Sequence, residues 1–128
     1  MVIRKFSRDQ KDIIKKAVTS VSISLDSAIE KEHDKIRGVE GAFVSAIEGM
    51  NILKSLGVNV TILSVIIKDN YQSIPQLIRL IKKLNVNRLS IQPLIYISNY
   101  PTVNSIKNKS SLLVPKEDIP ALKEVFEK

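Results

Sequence analysis

Apolar positions along this chain switch repeatedly between a helical and an extended rhythm. Ser7-Arg8-Asp9-Gln10 has the spacing of a capping box, and Ile13, Ile14, Ala17 and Val18 follow at helical intervals, predicting a helix over residues 7–19. From Ser20 to Leu25 the period drops to two, with Val21, Ile23 and Leu25 on one face and Ser22 and Ser24 on the other. Asp26 to Glu40 is polar and reads as a loop. A helix is expected after Gly41, with Phe43, Ala46, Ile47, Met50, Leu53 and Leu56 as its buried stripe. Gly57 stands where a left-handed C-terminal residue is wanted. Val58 to Ile67 is a β-branched run suited to a buried parallel strand. Ser73 is placed to cap the next helix, Pro75 suits its first turn, and Ile74, Leu77, Ile78, Ile81 and Leu84 form its stripe. Arg88 to Gln92 reads as a third strand, residues 95–117 as a loop, and residues 118–128 as a last helix capped by Asp118.

Strands alternating with helices imply right-handed crossovers and a parallel α/β sheet, here about three strands with four helices. Three strands leave two edges with unpaired backbone, which calls for a partner or a further part of the fold. If the helices cover the face of Val21, Ile23 and Leu25, then Ser22, Ser24 and, by extension, Asp26 point the other way. In the third strand Leu89 and Ile91 belong to the helix side and Arg88, Ser90 and Gln92 oppose it. The middle strand does not decide between the wall of a wet or ligand-filled cavity and an open sheet face in solvent.

Composition narrows this picture. The chain has 128 residues, enough for one domain but short for a closed eight-stranded barrel, which takes roughly 200 or more. It has no cysteine and one histidine, so disulfides, thiolate metal sites and all-protein zinc sites are not expected. No apolar run approaches the ~20 residues of a membrane span, and a cytoplasmic location is expected. The net charge of +7 is dispersed, with small clusters at Lys15-Lys16 and Lys82-Lys83. That pattern suits a solvated basic surface better than a nucleic-acid site.

Several motifs recur in one order: Ser24-Leu25-Asp26, His33-Asp34, Arg37-Gly38, Gly41-Ala42-Phe43 and Lys68-Asp69-Asn70. Together with Arg88-Leu89-Ser90-Ile91-Gln92 they span Val21 to Leu94, a stretch that resembles the later part of the radical SAM barrel. The resemblance implies a partial TIM-like (β/α) barrel whose strand ends face S-adenosylmethionine. It assigns Ser24 to the methionyl carboxylate, Asp26 to the strand-end loop or a ligand hydroxyl, and Arg37 to the same carboxylate. Asn70 and Gln92 would close the cavity, with Leu94 or Ile95 against the adenine. Each residue has a plainer reading beside this one. Ser24 gives room, Asp26 caps a turn, His33 braces a loop or lies on the surface, Asp34 and Arg37 form a local ion pair, and Asn70 is a turn residue.

Two features of the resemblance are missing. The CxxxCxxC loop of the iron–sulfur cluster and the Gly-Gly-Glu-Pro motif do not occur in the sequence. The family pattern therefore implies a C-terminal fragment or split half of a radical SAM enzyme, inactive alone. Its cluster would come from another chain or from an N-terminal half. The expected partner is that half or a second copy of this chain. A cluster-free remnant acting as a protein-binding or scaffold module is the alternative.

Overall fold

A computed structural model describes residues 6–94 and 113–127. Helix α1 (Arg8–Ala17) leads into strand β1 (Ser20–Ser24), and α2 (Glu30–Arg37) and α3 (Ala42–Ser55) follow before β2 (Asn59–Ile66). A 3-10 turn at Tyr71–Ser73 runs into α4 (Ile74–Lys83), then β3 (Arg88–Pro93). A second 3-10 turn at Lys116–Asp118 precedes α5 (Ile119–Glu127). The three strands form one parallel sheet in the order β1-β2-β3, the α/β arrangement that the alternation predicts.

Register fixes which residues share a face. Ser22 pairs with Thr61 and Thr61 with Arg88, while Ile23 pairs with Ile62 and Ile62 with Leu89. Val60, Ile62 and Ile66 are buried with Met50 and Leu53 of α3 and with Ile74, Leu77 and Ile81 of α4. Each such side chain contributes roughly 1.5–3 kcal/mol by leaving water. The middle strand, silent in the sequence, thus places its even positions under the helices. The opposite face carries Ser20, Ser22, Ser24, Thr61, Arg88, Ser90 and Gln92. Ser64 is the exception on the covered side: it is 1% exposed, and its hydroxyl has no partner among the described residues.

Local chemistry explains most element ends. The Ser7–Gln10 capping box forms in both directions at the start of α1. None of that helix is fully buried, and Ile13 is largely exposed. Gly57 ends the α3 turn at φ 78, a conformation that disfavours residues with a Cβ.

Three expectations are corrected. The stretch expected as a polar loop contains α2, and its one fully buried residue is His33. Ser73 occupies the cap position of α4 without capping it, because its hydroxyl donates to the Asn70 carbonyl at 2.9 Å and also meets Glu32. Asp118 does not cap the last helix either. It ends a 3-10 turn, and its carboxylate accepts the Tyr71 hydroxyl at 2.7 Å. That contact pushes the Tyr71 phenol up from its ordinary value, since it stabilises the protonated form. The expected loop over residues 95–117 falls mostly outside the described residues, as does Ile95. No helix among the described residues is long and apolar enough to cross a membrane.

Candidate ligand-binding site

The C-terminal ends of β1 and β2 are joined by side chains. After Ser24 the ladder continues for one bond, from the Leu25 amide to the Leu63 carbonyl at 2.9 Å. The next amide, of Val65, is taken at 2.9 Å by Oδ1 of Asp26. Asp26 therefore stands in for a strand carbonyl. Asn70 supplies the second link: its Nδ2 donates to the carbonyls of Asp26 and Val65, both at 2.8 Å, and its Oδ1 accepts the Ile67 amide at 2.8 Å. All three polar atoms of the buried Asn70–Asp26 junction that face the strands are thus matched, which offsets the cost of burying them.

His33 closes this junction from α2. Its Nδ1 accepts the Asp26 amide at 3.1 Å, so the ring proton sits on Nε2. The ring is 1% exposed and meets Phe43 edge-on. Burial pushes the imidazole below its ordinary pKa, and the nearby Asp26 carboxylate only partly opposes this. Although Nδ1 lies 3.9 Å from Oδ2 of Asp26, the two do not form an ion pair while Nδ1 is an acceptor. The ion pair of Asp26 is with Arg37, whose Nε is 2.7 Å from Oδ2.

Asp34 acts at the start of α3. Its carboxylate accepts the Gly41 and Phe43 amides at 2.7 and 2.8 Å, supplying acceptors that a helix N-terminus lacks. The Phe43 amide is the main reason its carboxyl falls below the usual range. The plainer reading of Asp34 and Arg37 as a mutual ion pair does not hold, since each has a different partner.

Beside the edge of β1 that no strand pairs among the described residues lies a cavity of about 260 Å3. Ser22 and Ser24 line it from the strand, His33 and Arg37 from α2, and Ala42, Ser45, Ala46 and Gly49 from α3. The cavity exists because α3 presents only small side chains there, spaced three and four apart. That spacing is visible in the sequence and marks a helix face that something approaches closely. Ile23 and Val39 complete the lining, so the wall mixes apolar side chains with Ser22, Ser24, Ser45, His33 and Arg37, and the Arg37 guanidinium is its group best suited to a carboxylate.

The expected site residues are distributed unevenly. Ser24 and Arg37 line the cavity. Asp26 and Asn70 lie behind it, engaged with backbone and Arg37. Gln92 and Leu94 are exposed at the end of β3, two strands away. His33 and the small face of α3 complete the cavity and were not among the expected contacts. Among the described residues, no three His, Cys, Asp or Glu side chains are grouped to hold a metal ion.

Comparison with known proteins places the fold. The chain superposes on Streptococcus suis SuiB with a TM-score of 0.69 and 17% identity, covering 99% of this chain and 28% of that one. A second SuiB structure has S-adenosylmethionine bound. The chain also superposes on anSMEcpe with bound AdoMet and a peptide, with a TM-score of 0.68 and 15% identity over 95% and 33% of the two chains. These likenesses define an α/β fold of the TIM-like barrel kind. In sequence, it is 28% identical over 96 residues to the Fe-coproporphyrin III synthase of Methanosarcina barkeri, covering 75% of this chain and 23% of that protein. It is 34% identical over 67 residues to an AdoMet-dependent heme synthase of Oleidesulfovibrio alaskensis, covering 52% and 17%. No protein-family profile matches the chain. The chain spans about a quarter or less of the length of the curated relatives it matches.

Proposed function

We propose that this chain contributes the β1-side wall of an S-adenosylmethionine pocket and does no radical chemistry by itself. The observation that carries this reading is the cavity at the strand ends, where Ser22, Ser24 and Arg37 converge. At about 260 Å3 it falls below the 300–1,000 Å3 of typical ligand pockets, so it accommodates part of a ligand, and the methionyl carboxylate suits its donors. Arg37 would pair with that carboxylate, and Ser24 and Ser22 would donate to it. A cysteine-ligated iron–sulfur cluster does not fit these residues, because the sequence has no cysteine. Cluster ligands would lie outside these 128 residues, on the same or another polypeptide.

The partner is proposed to dock along β1. No strand lies on the outer side of β1 among the described residues, and the alternation of a parallel ladder turns the backbone groups of Ser20, Ser22 and Ser24 that way. The cluster-bearing half of the barrel is the proposed occupant, and a second copy of this chain is the competing one. The remnant reading, in which the chain is a protein-binding or scaffold module, uses the same edge without the ligand.

The test titrates S-adenosylmethionine into the chain, with and without a CxxxCxxC-bearing polypeptide encoded in the same genome. Binding that strengthens on mixing, and weakens in Ser24→Ala and Arg37→Ala, is expected. A complex with that polypeptide that never takes up S-adenosylmethionine would favour the scaffold reading.

A further inference from the structure

We propose that Asp26 and His33 are positioning residues for Arg37, holding its guanidinium so that the two terminal nitrogens present a fork to a ligand carboxylate. The inference rests on the reading of the cavity as an S-adenosylmethionine site and deepens it. Asp26 is 1% exposed and both its oxygens are engaged, Oδ1 by the Val65 amide and Oδ2 by Nε of Arg37. It is buried and does not line the cavity, so it does not face a ligand hydroxyl there.

A carboxylate next to an anion site is electrostatically adverse unless it does something else. Here it engages one of the three guanidinium nitrogens and restrains a long, rotamer-rich side chain before the ligand arrives. Arg37 lines the cavity, and with Nε held by Asp26 the Nη pair would be the part of its fork that meets a ligand. His33 fixes Asp26 in turn through the 3.1 Å bond from the Asp26 amide, which only a neutral ring can accept. The restraint is thus anchored to β2 through Val65 and to α2 through His33.

Charge and positioning predict opposite signs, which makes the inference testable. S-adenosylmethionine is titrated into the full 128-residue chain carrying Asp26→Asn, Arg37→Lys or both, each checked for native amide dispersion by NMR. If Asp26 positions Arg37, Asp26→Asn weakens binding about tenfold although it removes a negative charge. The double variant then binds no worse than Arg37→Lys alone, because the two act through one contact. His33→Gln shows a smaller loss in the same direction. Tighter binding by Asp26→Asn, or losses that multiply in the double variant, would overturn the inference.

A second readout needs neither a variant nor a ligand. In the wild-type chain the Arg37 Nε–Hε resonance is expected to be slow to exchange and displaced from the free-arginine position. A freely averaging signal would overturn the inference. If no S-adenosylmethionine is taken up even in the presence of the cluster-bearing partner, the pocket reading fails, and the Nε signal still decides whether Arg37 is held.

Discussion

The two ends of the β1–β2 pair are closed by different means. At the N-terminal end the closure is mostly backbone: the Asn59 amide reaches the Thr19 carbonyl at 3.0 Å, and Val58 returns to Leu53 at 3.0 Å. One side chain assists at the same end on the β3 side, Oδ1 of Asn87 on the Val60 amide. At the C-terminal end, buried Asp26, Asn70 and His33 do the closing. Backbone closure is cheap in desolvation and leaves nothing to react. Side-chain closure buries polar groups that must all be matched, but it also sets a carboxylate, an imidazole and a guanidinium at fixed distances. The difference locates the site at the C-terminal strand ends, where α/β folds hold their ligands.

Breaking the side-chain closure should cost most. Asn70→Ala leaves the Ile67 amide and two carbonyls without partners, at about 1–3 kcal/mol for each buried group left unmatched. A loss of about 3–5 kcal/mol in urea denaturation is expected, a large share of the roughly 5–15 kcal/mol of an ordinary domain. Asn87→Ala at the other end removes a single acceptor, and its loss should stay near 1 kcal/mol. Equal losses at the two ends would erase the contrast.

Asp34→Ala comes next: it removes the acceptors of the Gly41 and Phe43 amides, so the urea midpoint should fall, by less than in Asn70→Ala. Ser64→Ala should have the opposite sign. It removes a buried hydroxyl that has no described partner, so stability should hold or rise by up to about 1 kcal/mol.

The smallest effect is the pH response of His33. Its folded pKa lies below the ordinary value of about 6.5, so between the two values the unfolded chain binds the extra proton. Stability is therefore full above about pH 6.5 and falls as the pH drops through that window. His33→Gln should flatten the slope between pH 7 and 5 in a series of denaturant midpoints. An unchanged slope would mean that burial does not lower the pKa of His33.

How legible all this was in the sequence depends on the range of the interaction. The strands, the α3 and α4 stripes, the capping box and Gly57 follow from neighbours within one or two turns, and the structure has them. The α2 helix was not legible, because its residues (Glu30-Lys31-Glu32-His33-Asp34-Lys35-Ile36-Arg37) carry too few apolar positions to show a stripe. Ser73 and Asp118 have the right chemistry for caps, yet distant partners took their side chains: Glu32 for one and Tyr71 for the other. The same holds at the site. Parity put Ser22 and Ser24 on the polar face, but it also extended that face to Asp26. The Asp26 side chain instead follows the ladder to Val65, 39 positions away. Asn70 and His33 become structural through contacts that only the folded chain provides.

The most direct test of the account is a titration of S-adenosylmethionine into the isotopically labelled chain, followed by amide and side-chain NMR. The account predicts shifts centred on Ser22, Ser24, Arg37 and Ser45, little change at Asn87 and the opposite strand ends, and loss of the shifts in Arg37→Ala. Shifts centred on the basic residues Lys82 and Lys83, or none at any concentration in the presence of the cluster-bearing partner, would contradict it.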